Sequence, residues 1–323
     1  MTENLPLQPA PALSVVIPAY NDAQALTLFL PSLCGFLAAQ PGQQEIVIVD
    51  DGSRDALAEV CRDYVPRLPE NTVLRLIRLS RNFGKEAALS AGLAQAQGEA
   101  VVMMDADGQH PVAVLAEMLA LYRNGADVVA AIQADRAHES PLARTLKRRF
   151  YHFMQDTHRY ELKPNAGDFR LMHRKVVDAL LALPERQRFM KGLYAWVGFN
   201  TVYLPFKPEV RAEGQSKFNY GSLFELALVG ITSFSQKPLR WISRMGMLVS
   251  VFSLLYGCYI VVDTLFFGRD VPGWATVAAG VMFSAGLQLI CLGVIGEYIG
   301  RIYEEVKQRP LYIVDETWHS KHK

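Results

Sequence analysis

The sequence predicts an α/β domain built on a mostly parallel sheet, joined to a C-terminal two-helix transmembrane hairpin. Three observations predict it. Short aliphatic runs alternate with helix-length segments over about the first two hundred residues. Two stretches of 23 residues, one with a single charge and one with none, follow near the end. Each is long enough to cross roughly 30 Å of hydrocarbon as a helix, and only GRDVPG separates them, too short for anything but a tight turn.

Taken in order, residues 1–12 lack a cationic start followed by an apolar core, so they read as a disordered tail that stays cytoplasmic rather than a signal peptide. LSVVIP (13–18), EIVIVDDGS (45–53), VLRLIRLS (73–80), EAVVMMDAD (99–107) and DVVAAI (127–132) are near-continuous aliphatic runs, the pattern of strands buried on both faces. Between them ALTLFLPSLCGFLAA, DALAEVCRDYVPRL, KEAALSAGLAQAQ and PVAVLAEMLALYRNG have helical length, and the last opens with proline and closes before glycine. This order predicts a ligand crevice at the carboxyl ends of the strands, in a domain spanning 13–218. Residues 219–244 carry a long apolar face with few charges and are expected to lie in a membrane interface.

The hairpin is expected over 245–296, with helices at about 245–267 and 274–296, and 297–323 as a cytoplasmic tail. Lys237, Arg240 and Arg244 precede it, Arg301, Lys307 and Arg309 follow it, and the turn holds only Arg269, so the positive-inside bias puts both flanks in the cytoplasm. A buried helical hairpin of a soluble protein is the competing reading. Asp263 in the first span offers an interhelical contact, and Gly280, Gly286 and Gly293 offer helix packing, including between subunits.

Lys and Arg total 33 against 32 Asp and Glu, a net charge of +1, so no global field attracts nucleic acid. Cys34, Cys61, Cys258 and Cys291 show no paired spacing, which argues against zinc and against a disulfide framework.

The chemistry concentrates at strand ends. In VVMMDADGQHP a buried run delivers Asp105 and Asp107, with the Gln109 amide two residues on. These are hard oxygen ligands suited to Mg²⁺ or Mn²⁺, which needs only one or two carboxylates plus substrate phosphates. A helix cap before Pro111 is the plainer alternative. IVDDGSRD ends another strand in Asp50 and Asp51, able to accept from a nucleobase or ribose, or to form an Asx turn with Ser53 capping the next helix. Tyr20, after Pro18 at the end of the first strand, can stack on a base or pack in the core. The cluster Arg144, Lys147, Arg148 and Arg149 can grip a lipid phosphate or anionic headgroups, or can be an exposed helix face.

Eight ordered blocks, IPAYND, VDDGSRD, RNFGKEAAL, DADGQHP, GDFRLMHRKVV, FMKGLYAWVGF, VRAEGQSKFNYGSLFELALVGITSFSQKPLR and GEYIGRIYEEVKQRP, together resemble the membrane-anchored polyprenyl-phosphate glycosyltransferases of glycosyltransferase family 2. Within that family the chain most resembles the bactoprenol glucosyltransferase branch, and it resembles dolichyl-phosphate mannose synthases more distantly. The resemblance runs from about Leu13 to Val314.

It implies a GT-A fold and an inverting, metal-dependent hexosyltransferase in the bacterial cytoplasmic membrane, with its catalytic domain facing the cytoplasm. Its substrates would be a nucleotide sugar, UDP-glucose first, and undecaprenyl phosphate. It places the nucleoside on Pro18, Tyr20, Asp22, Val49 and Asp51, and the metal and donor diphosphate on Asp105, Asp107 and Gln109. Asp168 in GDFRLM takes a catalytic place, orienting the acceptor or taking a residual proton, with a cap before an RLMHRKVV helix as the alternative. Arg211, Ser216 and Lys217, in a loop with Gly214, match positions that hold phosphate; Arg81 and Lys85 are weaker candidates for the donor. The sequence departs from the pattern at Asp22, where glutamate is usual, and at Gly108 and His110, since DADGQHP stands for DADLQDP. His110 is expected to start the following helix rather than to be a third metal contact. The resemblance further implies a homo-oligomer, such as a tetramer, with a separate flippase and a downstream glycosyltransferase as partners. The alternatives are a different donor, a UDP-N-acetylhexosamine or GDP-mannose, and a non-catalytic scaffold or lipid-transfer partner that keeps the fold.

Overall fold

The computed structural model describes residues 11–133, 163, 166–186, 188–207, 237–267 and 273–320. The chain divides into two units, Met1–Phe218 with Arg309–Lys323, and Asn219–Gln308.

The first unit is a sheet with helices packed on it. Strands β1 (Leu13–Ala19), β2 (Gln44–Asp50), β3 (Thr72–Leu79), β4 (Ala100–Met103) and β5 (Val128–Gln133) lie where the aliphatic runs predict them. Helices α1 (Ala23–Ala38), α2 (Leu57–Tyr64), α3 (Lys85–Gln95) and α4 (Val114–Arg123) alternate with them. Burial on both faces explains the run-like pattern: Val15, Val16, Ile17 and Ile46 to Val49 have 0% exposure. In α1 the buried set Leu26, Phe29, Leu30, Leu33, Cys34 and Leu37 recurs at three- and four-residue intervals, one face of a 3.6-residue period. α3 comes so close to the sheet at Gly92 that a Cβ there would collide with the Val16 side chain. Burial pushes the Cys34 thiol up to about 11 and Cys61 to about 12, and all four cysteines are free.

Three further strands complete the sheet, β6 (Ala166–His173), β7 (Thr201–Phe206) and β8 (Val314–His319), in the order β7-β5-β6-β4-β1-β2-β3-β8. β6 is antiparallel to β4 and β5, and β8 is antiparallel to β3, while the other six strands share one direction. Helices α5 (Arg174–Leu181) and α6 (Met190–Trp196) follow β6.

Three expectations need correction. RLMH belongs to strand β6, and the helix begins only at Arg174, where the His173 ring accepts the Lys175 N–H as a cap. Residues 297–323 are not simply a tail: helix continues to Lys307, and Val314–His319 adds an edge strand bonded to β3, tied further by the Arg62–Glu316 ion pair at 3.0 Å. Pro11 and Ala12 are bonded to the sheet, Ala12 donating its N–H to the Gln43 carbonyl. Residues 1–10 of the expected tail lie outside the described residues.

Among the described residues, the second unit is made of two long helices, α7 (Lys237–Phe267) and α8 (Trp274–Lys307). Both are long and apolar enough to cross a membrane, over Trp241–Ile260 and Ala279–Lys307. Their apolar side chains point outward, Phe252 at 70% and Met282 at 78% exposed, which disfavours the reading as the core hairpin of a soluble protein. Of the expected interfacial segment, 219–236 lies outside the described residues and 237–244 forms the first turns of α7.

Candidate active site

The carboxyl ends of β1, β2 and β4 meet at one edge of the sheet. β1 aligns Ala19 with Asp50 of β2, and the Asp51 N–H donates to the Ala19 carbonyl. β6 reaches the same edge with its first residues because it runs the other way. Its register pairs Ala100 with His173 and Met103 with Arg170; two further places along bring Asp105 of the loop after β4 opposite Asp168. Two acids 63 positions apart (168 less 105) are thereby made neighbours by antiparallel pairing alone.

Lys85, the first residue of α3, lies between them. Its Nζ is 2.7 Å from Asp105 Oδ1, 2.8 Å from Asp105 Oδ2 and 3.4 Å from Asp168 Oδ2. Burial works against its charge, and Asp105 and Asp168 more than offset that, holding the ammonium above the usual lysine range. Next to it, burial and then the charge of Asp168 raise the Glu86 carboxyl to about 8.

β4 ends at Met103, and Asp105 and Asp107 lie in the loop that follows it, separated by Ala106, which is buried at 2% exposure. Asp107 Oδ1 accepts the Gln109 N–H at 3.1 Å, closing a turn in which Gly108 takes φ +76. That conformation suits glycine and explains one departure from the family pattern. His110 explains the other, and corrects the expectation for it. α4 starts at Val114, so His110 does not open the helix; its Nδ1 accepts the Asp105 N–H at 2.9 Å and its ring stacks on Phe169. Burial lowers its pKa, leaving the ring neutral with Nδ1 free to accept. Among the described residues no three His, Cys, Asp or Glu side chains gather as a metal cluster. A divalent ion would therefore depend on Asp105, Asp107 and Gln109 together with a ligand's phosphates, a donor set that fits Mg²⁺ or Mn²⁺.

The expected nucleoside side lies around β1 and β2. Tyr20 is 42% exposed, while Pro18 and Val49 are buried partners in adjacent strands. The Asp22 carboxyl accepts the Tyr20 N–H at 3.3 Å, and burial, then the charges of Asp107, Asp55 and Asp105, raise its pKa. Asp51 accepts the Phe83 N–H at 2.7 Å and the Gly84 N–H at 2.9 Å, one on each oxygen, so it fastens the RNFGK turn to the end of β2. Each oxygen keeps a lone pair for a ligand. Asp50 makes the Asx turn with the Ser53 N–H at 2.7 Å, but Ser53 Oγ accepts from Asn21 rather than capping α2. Gly52, at φ +72, lies so close to the Arg81 backbone that any side chain would clash. Arg81 itself stacks on Phe83 at 4.0 Å.

Sequence reasoning ranked Lys85 low and passed over Glu86, Arg170 and Tyr194. Arg170 shares a face of β6 with Asp168, is 5% exposed, and stacks on the buried Tyr194 ring at 3.6 Å. Among the described residues Asp168 Oδ1, Glu86 Oε2 and Arg170 Nε have no hydrogen-bond partner. Buried atoms of this kind cost about 1–3 kcal/mol each when unmatched, and a mixture of acceptors and a donor suits a hydroxyl-bearing ligand. The visible signals were RNFGKE and GDFRLM; what was missing was the pairing that brings them together. Arg144, Lys147, Arg148, Arg149, Arg211, Gly214, Ser216 and Lys217 lie outside the described residues.

Residues 14–181 match the glycosyl transferase family 2 model, and residues 237–302 match the GtrB C-terminal hairpin model. An uncharacterized glycosyltransferase of Synechocystis sp. is 44% identical over 95% of this chain and 95% of its own length. The SfII prophage-derived bactoprenol glucosyl transferase of Shigella flexneri is 41% identical over 94% of this chain and 98% of its own, and a prophage homolog in Escherichia coli K12 is 38% identical over 94% and 98%. Among solved structures, the mannosyltransferase PcManGT of Pyrobaculum calidifontis, in complex with GDP-Man and Mn²⁺, is 18% identical over 93% of this chain and 88% of its own, with a TM-score of 0.48, too distant to carry residue roles across.

Proposed function

Since the chain belongs to glycosyltransferase family 2 and carries the GtrB C-terminal hairpin, we propose that it transfers glucose from a nucleotide sugar to a polyprenyl phosphate of the bactoprenol type, at a membrane. A single observation carries the reading beyond family membership. The antiparallel β6 brings Asp168 across from Asp105, so a group suited to the acceptor faces a group suited to the donor's diphosphate.

The displacement has a simple balance. An acceptor phosphate oxygen forms a bond to the anomeric carbon, the bond from that carbon to the donor diphosphate breaks, and the nucleoside diphosphate departs with the electron pair, inverting the centre. A phosphate monoester has its second pKa near ~6, so the acceptor is largely dianionic at neutral pH and needs little help from a base. Asp168 is accordingly read as orienting the acceptor or taking a residual proton. Asp105, Asp107 and Gln109 would hold Mg²⁺ or Mn²⁺, which supplies Lewis-acid stabilisation of the departing diphosphate. Pro18, Tyr20, Asp22, Val49 and Asp51 are the proposed nucleoside contacts, with Tyr20 exposed to stack on the base. Arg211, Ser216 and Lys217 are proposed for phosphate, and Arg144 and Arg148 for the lipid headgroup, offsetting the repulsion between two anionic substrates. Positive flanks around the hairpin support a cytoplasmic catalytic domain. Homo-oligomer assembly and a separate flippase belong to the same proposal.

The test is label transfer. Purified full-length enzyme is incubated with undecaprenyl phosphate, Mg²⁺ or Mn²⁺, and radiolabelled UDP-glucose, UDP-N-acetylglucosamine or GDP-mannose in parallel, then extracted into organic solvent. Label is expected in the lipid phase with UDP-glucose. Label from another donor alone would change the sugar, and none from any donor would overturn the enzymatic reading.

A further inference from the structure

We infer that Lys85 is a built-in counter-cation that holds Asp105 and Asp168 together and gives up Asp105 when the donor diphosphate arrives, so that divalent-ion entry is coupled to donor binding. The inference rests on the reading of Asp105, Asp107 and Gln109 as the metal side of the site.

Three observations carry it. First, the Lys85 ammonium is within 2.8 Å of both Asp105 oxygens. Mg²⁺ binds oxygen at roughly 2.0–2.1 Å, and a second cation cannot press onto the same carboxylate without strong repulsion from the ammonium. Second, the ammonium has somewhere to go. Asp168 Oδ2 is 3.4 Å away, and the Lys85 side chain is 46% exposed, a flexible four-carbon stem that can carry its charge to a phosphate oxygen. Third, the backbone before Lys85 is tied to the proposed nucleoside side, because Asp51 accepts the Phe83 and Gly84 N–H groups on its two oxygens. Asp51, the turn, Lys85 and Asp105 thus form one connected series from nucleoside to metal. A donor that touches Asp51 and offers phosphate to Lys85 favours the arrangement in which Asp105 is open to the ion, and by linkage the ion favours the donor equally.

The experiment is Mn²⁺ binding to the full-length protein in detergent, read by loss of the free-ion electron paramagnetic resonance signal, with and without UDP. Wild type is expected to bind Mn²⁺ weakly alone and much more tightly with UDP. Lys85→Met and Lys85→Gln remove the competing charge and are expected to bind Mn²⁺ alone about tenfold more tightly than wild type, with a smaller gain on adding UDP. Lys85→Arg keeps a cation and should keep the wild-type pattern. Adding Asp107→Asn to Lys85→Met should abolish the gain, which locates the ion at this site. Equal Mn²⁺ affinity of wild type, Lys85→Met and Lys85→Gln without UDP would overturn the role of Lys85 while leaving the metal reading intact. No Mn²⁺ binding by any form, with or without UDP, would overturn the metal reading and the inference with it.

Discussion

His110 lies nearly flat on Phe169, with ring centroids 4.5 Å apart and planes 16° from parallel. Phe169 adjoins Asp168 on β6, and His110 Nδ1 accepts the Asp105 N–H at 2.9 Å, so one aromatic contact fixes both acids' backbones relative to each other. Replacing His110 with alanine leaves the Asp105 amide without that acceptor and removes the stack, a loss of about 2 kcal/mol. Thermal unfolding of the purified protein should show a Tm several degrees lower with reduced turnover. His110→Asn, which keeps an acceptor of similar reach, should recover part of both. A His110→Ala protein with unaltered Tm and rate would make the contact incidental.

Asp107→Asn preserves shape and leaves an oxygen to accept the Gln109 N–H, so the turn should survive while one negative charge is lost. Turnover is expected to fall by about 10²-fold or more, with a higher Mn²⁺ concentration needed for half-maximal rate. Unchanged turnover and unchanged metal dependence would take Asp107 out of the coordination shell.

For Asp168→Asn, the proposed role on the acceptor side predicts that kcat falls about 10²-fold while the KM for the donor moves little. Initial-rate measurements at varied donor and acceptor separate these. A rise confined to donor KM would instead place Asp168 on the nucleotide.

Glu86 gives a pH signature. Its folded-state pKa of about 8 lies above the unfolded value near 4.5, so the folded protein binds more protons between those limits. The contribution is full below about pH 4.5 and is lost as pH rises toward 8. Glu86→Gln mimics the protonated form and should flatten the fall in thermal stability across that window. Parallel pH profiles for wild type and variant would contradict the assignment.

How much of this could be read from the chain depends on what each strand must bury. β1, β2, β4 and β5 announce themselves because both faces are covered along most of their length, leaving few polar positions within the runs, while β3 keeps Arg75 and Arg78 on a partly exposed face. β8, VDETWH, is an edge strand with most side chains exposed, held by backbone pairing to β3 and the Ser320–Leu74 bonds, so its composition resembles a loop. GDFRLMH carries an acid and an arginine among its apolar residues, and only its pairing with β4 shows it to be a strand. The DADGQ acids and both strand-end aspartates were visible as local motifs. The place of Lys85 was not, since a lysine four residues after an arginine gains meaning only once β6 delivers Asp168 to its other side.

The central claim is that a divalent ion and the donor diphosphate assemble on Asp105 and Asp107, facing Asp168 across the β4–β6 pairing. Its most direct measurement is a structure of the full-length protein with Mn²⁺ and a non-transferable UDP-glucose analogue, locating the ion by anomalous scattering. The account predicts Mn²⁺ bound to oxygens of Asp105, Asp107 and the diphosphate, with the anomeric carbon on the Asp168 side. Mn²⁺ and phosphates lodged away from both acids would contradict it.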